Sequence, residues 1–287
     1  MKKLINWKMF FILLIACVIA SMLVIPYSLS LTLDKETKED LHAECDHDHN
    51  HDHHIEADNT EDQIELPMFL MVILTAVNNL FIFAIVIFLG LLLSKKIGLE
   101  SGGLRLPILE GILNKENKAK EFKSILLPSI SLGVLAGVLI IVISIPFNNA
   151  IPVFKNMEVI VPAWKGFLAS FYGGIAEEVM LRLFFMSLLV WITFLIKKNK
   201  DGNPTSFGVW LAIILAAVIF GIGHLPATAQ LTEITGVVIA RAIVLNGIAG
   251  IAFGWLYWKK GLESAIIAHF SADIVLHVIT PMVLLLM

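Results

Sequence analysis

The sequence predicts an all-α fold, a polytopic transmembrane helix bundle of about seven spans. Composition is the first observation: of 287 residues, 57% are hydrophobic and 16% charged, and mean hydropathy is +0.84. A soluble domain of this length would need far more polar surface. Second, apolar runs of about 20 residues, the length that crosses a bilayer, recur along the chain. Third, lysine-rich clusters sit beside every second run, the pattern that orients membrane helices.

Span 1 covers about residues 9–31, behind Lys2, Lys3 and Lys8. Its LIAC at Cys17 resembles a lipoprotein cleavage box, but the chain stays apolar beyond it (VIASMLVIPYSL). The segment therefore reads as an uncleaved first span. Span 2 covers about 68–94, span 3 about 124–146 and span 4 about 164–196. At ~1.5 Å per residue span 4 is too long for one straight crossing; it is tilted or begins as an interfacial helix around Ala163–Phe171. Spans 5, 6 and 7 cover about 206–225, 235–258 and 262–286.

Three regions follow. Residues 1–67 are an anchor span plus an acidic, His-rich loop. Residues 68–123 are the second span and a basic connection, in which Glu110–Phe122 reads either as an amphipathic surface helix or as a solvated linker. Residues 124–287 are the helical core. The net charge of −3 hides an asymmetry: residues 33–67 hold 13 of the 24 acidic residues and two basic ones, Lys35 and Lys38. The basic clusters after spans 2, 4 and 6 fall on the same side as the N-terminus. That side should be the cytoplasm, with the protein multi-pass in the plasma membrane and the acidic loop outside. No basic nucleic-acid patch is present, and two cysteines, Cys17 and Cys45, offer neither a disulfide framework nor a CxxC site.

The chemistry-bearing residues lie inside the apolar spans, where ionisable groups are costly and mark functional sites. Glu177 and Glu178 are adjacent in FYGGIAEEVMLRLFFMSLLVW, with Arg182 one turn on. Glu178 and Arg182 share a helix face, while Glu177 is rotated roughly 100° away. One carboxylate can thus pair with the guanidinium while the other faces a cavity. A carboxylate withdrawn from water is the stronger base, which activation of a water requires. His224 ends span 5 in FGIGHLP, where Pro226 stops the helix and Gly221 and Gly223 allow close approach of a neighbouring helix or a substrate backbone. His269 and Asp273 are spaced i, i+4 in span 7, which suits an aspartate orienting an imidazole or two ligands on one metal.

EEVMLR, FGIGH and HFSAD, in this order, resemble the EExxxR, FxxxH and HxxxN/D signatures of CPBP intramembrane proteases. That family includes type II CAAX prenyl endopeptidases and bacteriocin-processing or Abi-type proteins. The resemblance covers residues 124–287 and implies that Glu177 activates the hydrolytic water with His224. It further implies that Glu178 partners Arg182, and that His269 and Asp273 stabilise the oxyanion. Some relatives carry Asn at the last motif position; Asp273 donates a hydrogen bond only when protonated, so it more readily orients His269 and leaves the imidazole as donor. No cofactor is required in this reading. Zinc is the alternative, since Glu177, His224 and His269 plus a water would make a catalytic set. The substrate would be a peptide or lipidated peptide met among membrane lipids.

One geometric problem remains. His224 lies toward the outer half of its span and His269 about 10 Å from the inner end of its own, at ~1.5 Å per residue. They meet only if helices are staggered or a water-filled cavity reaches mid-membrane.

The loop HAECDHDHNHDHH carries His42, His47, His49, His51, His53 and His54 with Cys45. Imidazoles interleaved with carboxylates bind divalent metal ions such as zinc, nickel or copper, with a solvated acidic spacer as the plainer reading. Two other functions fit the sequence: a divalent-metal transporter using the loop and the intramembrane acids, and a non-catalytic scaffold or immunity protein of the same fold.

Overall fold

The computed structural model describes residues 5–30, 68–98, 103–155 and 161–286. The main helices are α1 (Trp7–Ser30), α2 (Met68–Ile97), α3 (Pro107–Leu113) and α4 (Ala119–Ala150). They continue with α5 (Ala163–Ile196), α6 (Ser206–Gly223), α7 (Gly236–Lys260) and α8 (Leu262–Leu284). Among the described residues seven helices are long and apolar enough to cross a membrane, α3 being the short exception. There is no strand among them, only an isolated bridge between Lys198 and Pro204.

Local chemistry sets the helix ends. The side chains of Asn6, Thr205 and Thr235 accept from Met9, Gly208 and Val238 N–H groups at the starts of α1, α6 and α7, satisfying donors a helix leaves orphaned. Pro128 and Pro146 lie inside α4, as membrane helices tolerate. Gly261, at φ 96°, turns α7 into α8, a backbone conformation that L side chains rarely adopt.

α5 is the central element. It packs against α1, α2, α6 and α8, and Val179, Leu183, Met186 and Val190 along it are fully buried. On α8, Ala265, Ala268 and Ala272 present a small-residue face that lets α4 and α5 approach closely. Large apolar side chains elsewhere, such as Phe69, Phe81, Leu127 and Phe207, point outward, which in lipid carries no hydrophobic cost.

The stretch Glu110–Phe122 is not one continuous helix: it takes in the end of α3, an exposed link over residues 114–117 and the start of α4. Pro107 opens α3 at its first turn, Asn114 and Lys115 (φ 63°) close it, and Ala119 already belongs to α4. Leu104, Leu106 and Ile108 are buried. Leu104 N–H donates to Tyr257 O (3.0 Å) and Leu262 N–H to Arg105 O (2.8 Å). Ile108 and Leu109 N–H groups both donate to Glu263 Oε1, at 3.0 and 2.9 Å. The segment is thus wedged beneath the α7–α8 turn.

That wedge raises α8 within the bundle. Ser264, in the first turn of α8, bonds Ser129 at 2.6 Å, and Ser129 lies roughly 15 Å into α4 at ~1.5 Å per residue. Helix stagger therefore answers the depth problem for His269: starting high, α8 reaches the level of the α5 carboxylates within two turns.

Candidate active site

α5 is not a uniform α-helix. Residues Tyr172–Glu177 and Val179–Met186 are wide π-helical turns, with Glu178 at their junction. Such turns are rare and often accompany functional sites. Their result here is that Glu178 is wholly buried while the Glu177 side chain keeps 19% of its surface.

Glu178 bridges two partners. Its Oε1 accepts from His269 Nδ1 at 2.8 Å. Its Oε2 lies 3.2 Å from Arg182 Nε, but neither atom, nor Arg182 Nη1, has a well-aligned hydrogen bond. The contact is an ion pair by proximity rather than by direction. Arg182 Nη2 donates to Gly250 O at 3.4 Å, and the guanidinium lies 5.3 Å from the Phe220 ring centre and 5.7 Å from that of Phe253. Two aromatic faces supply part of what a desolvated cation lacks.

His269 is held on three sides. Phe253 stacks on its ring at 4.8 Å, Phe220 meets it edge-on at 5.7 Å, and Glu178 takes Nδ1. A carboxylate can only accept, so Nδ1 is the donor and Nε2 the free nitrogen. Nε2 faces Glu177 Oε2 and Asp273 Oδ1, each 3.7 Å away. Those gaps are too long for direct hydrogen bonds and of a size that a water spans.

The expected orienting role of Asp273 is corrected by this geometry. The carboxylate hydrogen-bonded to His269 is Glu178, contributed by α5, while Asp273 stands 3.7 Å from the other ring nitrogen. The i, i+4 spacing put Asp273 on the right face but could not report the closer acid from another helix. Gly173 makes room for that arrangement: a Cβ there would lie 2.2 Å from Asp273 Oδ2 and 3.1 Å from His269 Nε2.

His224 caps the end of α6, half-buried. Its Nδ1 bonds Phe220 O at 2.8 Å; a carbonyl accepts, so Nδ1 donates and Nε2 is left for other chemistry. The Phe220 ring meets His224 edge-on at 4.8 Å and also lies 5.7 Å from the His269 ring. His224 has no acid within ion-pair distance among the described residues. Of the two glycines before it, Gly221 serves close packing, since a Cβ would lie 2.5 Å from Ile243 Cα. Gly223 meets no neighbour.

The donors do not fit zinc as placed. Among the described residues no group of three or more His, Cys, Asp or Glu could hold a metal ion. The loop histidines His47, His49, His51, His53 and His54, with His42 and Cys45, lie outside the described residues.

Residues 159–275 match the type II CAAX prenyl endopeptidase Rce1-like family. The matched stretch takes in α5, α6, α7 and most of α8, hence all three motifs and every residue of the cluster. The match agrees with the CPBP resemblance of the motifs. With seven candidate spans, the chain is an integral, multi-pass membrane protein. No curated protein and no solved structure matches it.

Several residues around the cluster escaped the sequence reading. Phe253 and Gly173 show no local pattern and are identified only by the approach of a second helix. His277 was legible: it continues the His269–Asp273 spacing by four further residues. It bonds Tyr27 of α1 at 3.1 Å, outside the matched stretch.

Proposed function

We propose that the protein is an intramembrane endopeptidase that hydrolyses a peptide bond near the bilayer, using a water activated by Glu177. The observation that carries this reading is the meeting of carboxylates from α5 and α8 at the free nitrogen of His269. Glu177, the more exposed of the paired glutamates, takes one proton from the water as its oxygen bonds to the scissile carbonyl carbon. His224 Nε2 orients that water. His269 Nε2–H, when the ring carries both protons, donates to the oxyanion of the tetrahedral adduct. The C–N bond then breaks, and Glu177 returns the proton to the leaving amine. Glu178 and Arg182 hold the imidazole in place, and Asp273 borders the oxyanion position.

In this reading the water is activated without a metal ion. The substrate is a peptide or lipidated peptide reached within membrane lipid: a prenylated C-terminus, a signal or leader peptide, or a pheromone or bacteriocin precursor. The protein resides in the plasma membrane with its N-terminus in the cytoplasm, and the histidine loop captures divalent metal ions outside.

Comparative peptidomics of cells carrying the wild type or Glu177→Gln tests the reading. A cleavage product missing from Glu177→Gln, and from a His224→Ala variant that still melts cooperatively, is the expected result. Turnover retained in both variants would reject the assignment and favour a catalytically silent scaffold. Inhibition of the purified protein by a chelator, reversed by zinc, would replace the metal-free chemistry.

A further inference from the structure

A polar seam leads from the cluster to the membrane face where α1 ends. His277 lies on α8 beyond Asp273, in the π-helical turn Ile274–Ile279. Its Nδ1 shares a hydrogen bond with Tyr27 Oη at 3.1 Å, and the two rings meet edge to face at 5.3 Å. His277 follows Asp273 by four residues, about one turn further along α8. On the α5 side Gly166 lets the backbone close on His277 O, where a Cβ would lie 1.9 Å away. Just beyond, Lys165 Nζ donates to Ser30 Oγ at 2.6 Å. Ser30, Lys165, Tyr27, His277 and Asp273 thus form a file from α1, α5 and α8.

Hydrolysis consumes one water per turnover, so the site needs a wet route. Polar groups at membrane depth must either be buried in protein or line a water-filled path, and intramembrane ionisable residues mark such paths. Tyr27 and His277 are neither fully buried nor caps of a helix end. We propose that the α1–α5–α8 seam, gated by the Tyr27–His277 pair, is the water inlet of the site and opens at the face where α1 ends. Through Tyr27 the inlet involves a helix outside the Rce1-like match. Its use, feeding hydrolysis, rests on the peptidase reading; its existence does not.

The test uses full-length protein in sealed vesicles, with Cys17→Ala and Cys45→Ala removing native thiols. His277→Cys and, on the opposite wall, Tyr27→Cys are exposed to a membrane-impermeant cationic thiol reagent. Ile279→Cys, on the exposed face of α8, controls for depth. Asp201→Cys, in the exposed turn after α5, marks the other membrane face. The inlet requires at least one of the two seam thiols, in protein that melts like the parent, to react from the face opposite Asp201→Cys. Its rate should exceed that of Ile279→Cys by roughly tenfold or more, as thiol reactivity follows access to water. Lack of reaction at both positions, or reaction only from the Asp201 face, overturns it. Modification of His277→Cys should also stop peptide cleavage while modification of Ile279→Cys does not. Seam thiols that react in a protein that cleaves nothing leave the inlet standing and remove the peptidase reading. Glu177-dependent cleavage with inert seam thiols does the reverse.

Discussion

Glu178→Ala should destabilise the bundle by about 3–5 kcal/mol, the range for removing one partner of a buried ion pair. The structure gives the reason. Glu178 is wholly buried and bonds His269 Nδ1 at 2.8 Å while lying 3.2 Å from Arg182 Nε. Without it the guanidinium keeps a 3.4 Å bond to Gly250 O and two aromatic faces, and His269 loses the acceptor of its Nδ1–H. Glu178→Gln keeps the volume and an acceptor for Nδ1, so it should cost less, about 1.5–3 kcal/mol, the worth of a hydrogen bond to a charged group. The Glu178→Leu/Arg182→Met double variant removes both charges and should return to within about 1–2 kcal/mol of wild type, because apolar replacement of a buried pair is often neutral. Thermal melting of the purified protein in detergent reads all three, complemented by denaturant titration where the transition is reversible. A Glu178→Ala loss below about 1 kcal/mol, or a double variant no more stable than the single, would refute the claim that α5 is held to α8 through this carboxylate.

Two further predictions follow from close contacts. Gly173→Ala places a methyl group against Asp273 Oδ2 and His269 Nε2; overpacking of this kind costs about 1–3 kcal/mol. The turnover number should fall more than KM changes, measured on the peptide that peptidomics identifies; wild-type turnover would detach Gly173 from the site. Glu263→Ala removes the acceptor for the Ile108 and Leu109 N–H groups, a loss of about 1 kcal/mol by analogy with helix caps. Amide exchange should rise at residues 107–113 ahead of the rest of the chain, and unchanged protection there would show that α3 is held by its apolar side chains alone.

The membrane architecture was legible because hydropathy and span length are local properties: each helix announces itself within its own 20–30 residues. The pairing of Glu178 with Arg182 was legible for the same reason, being one helical turn. What was not legible depends on how helices meet. Glu178 reaches His269 across 91 residues of sequence, and no spacing rule announces that bond, so the orienting role was assigned to the nearer Asp273. The π-helical turns of α5 carry no local signature, since their residues have ordinary apolar periodicity. Gly221 and Gly223 look alike in the sequence; only the position of α7 makes the first a packing glycine. The short α3 was misplaced toward its lysines because the apolar Leu104, Leu106 and Ile108, just upstream, find their partners on α7 and α8.

The wedge beneath the α7–α8 turn has a consequence for biosynthesis. A translocon positions most helices by their flanking charges and apolar length, one after another as they leave the ribosome. The height of α8 is set differently: Glu263 grips backbone made 154 residues earlier. Until α8 arrives, the nascent chain carries Glu178 and Arg182 one turn apart without His269, and the imidazole takes its place as the α7–α8 turn seats on the waiting segment. The cluster is in this way completed only once α8 has joined the helices made before it.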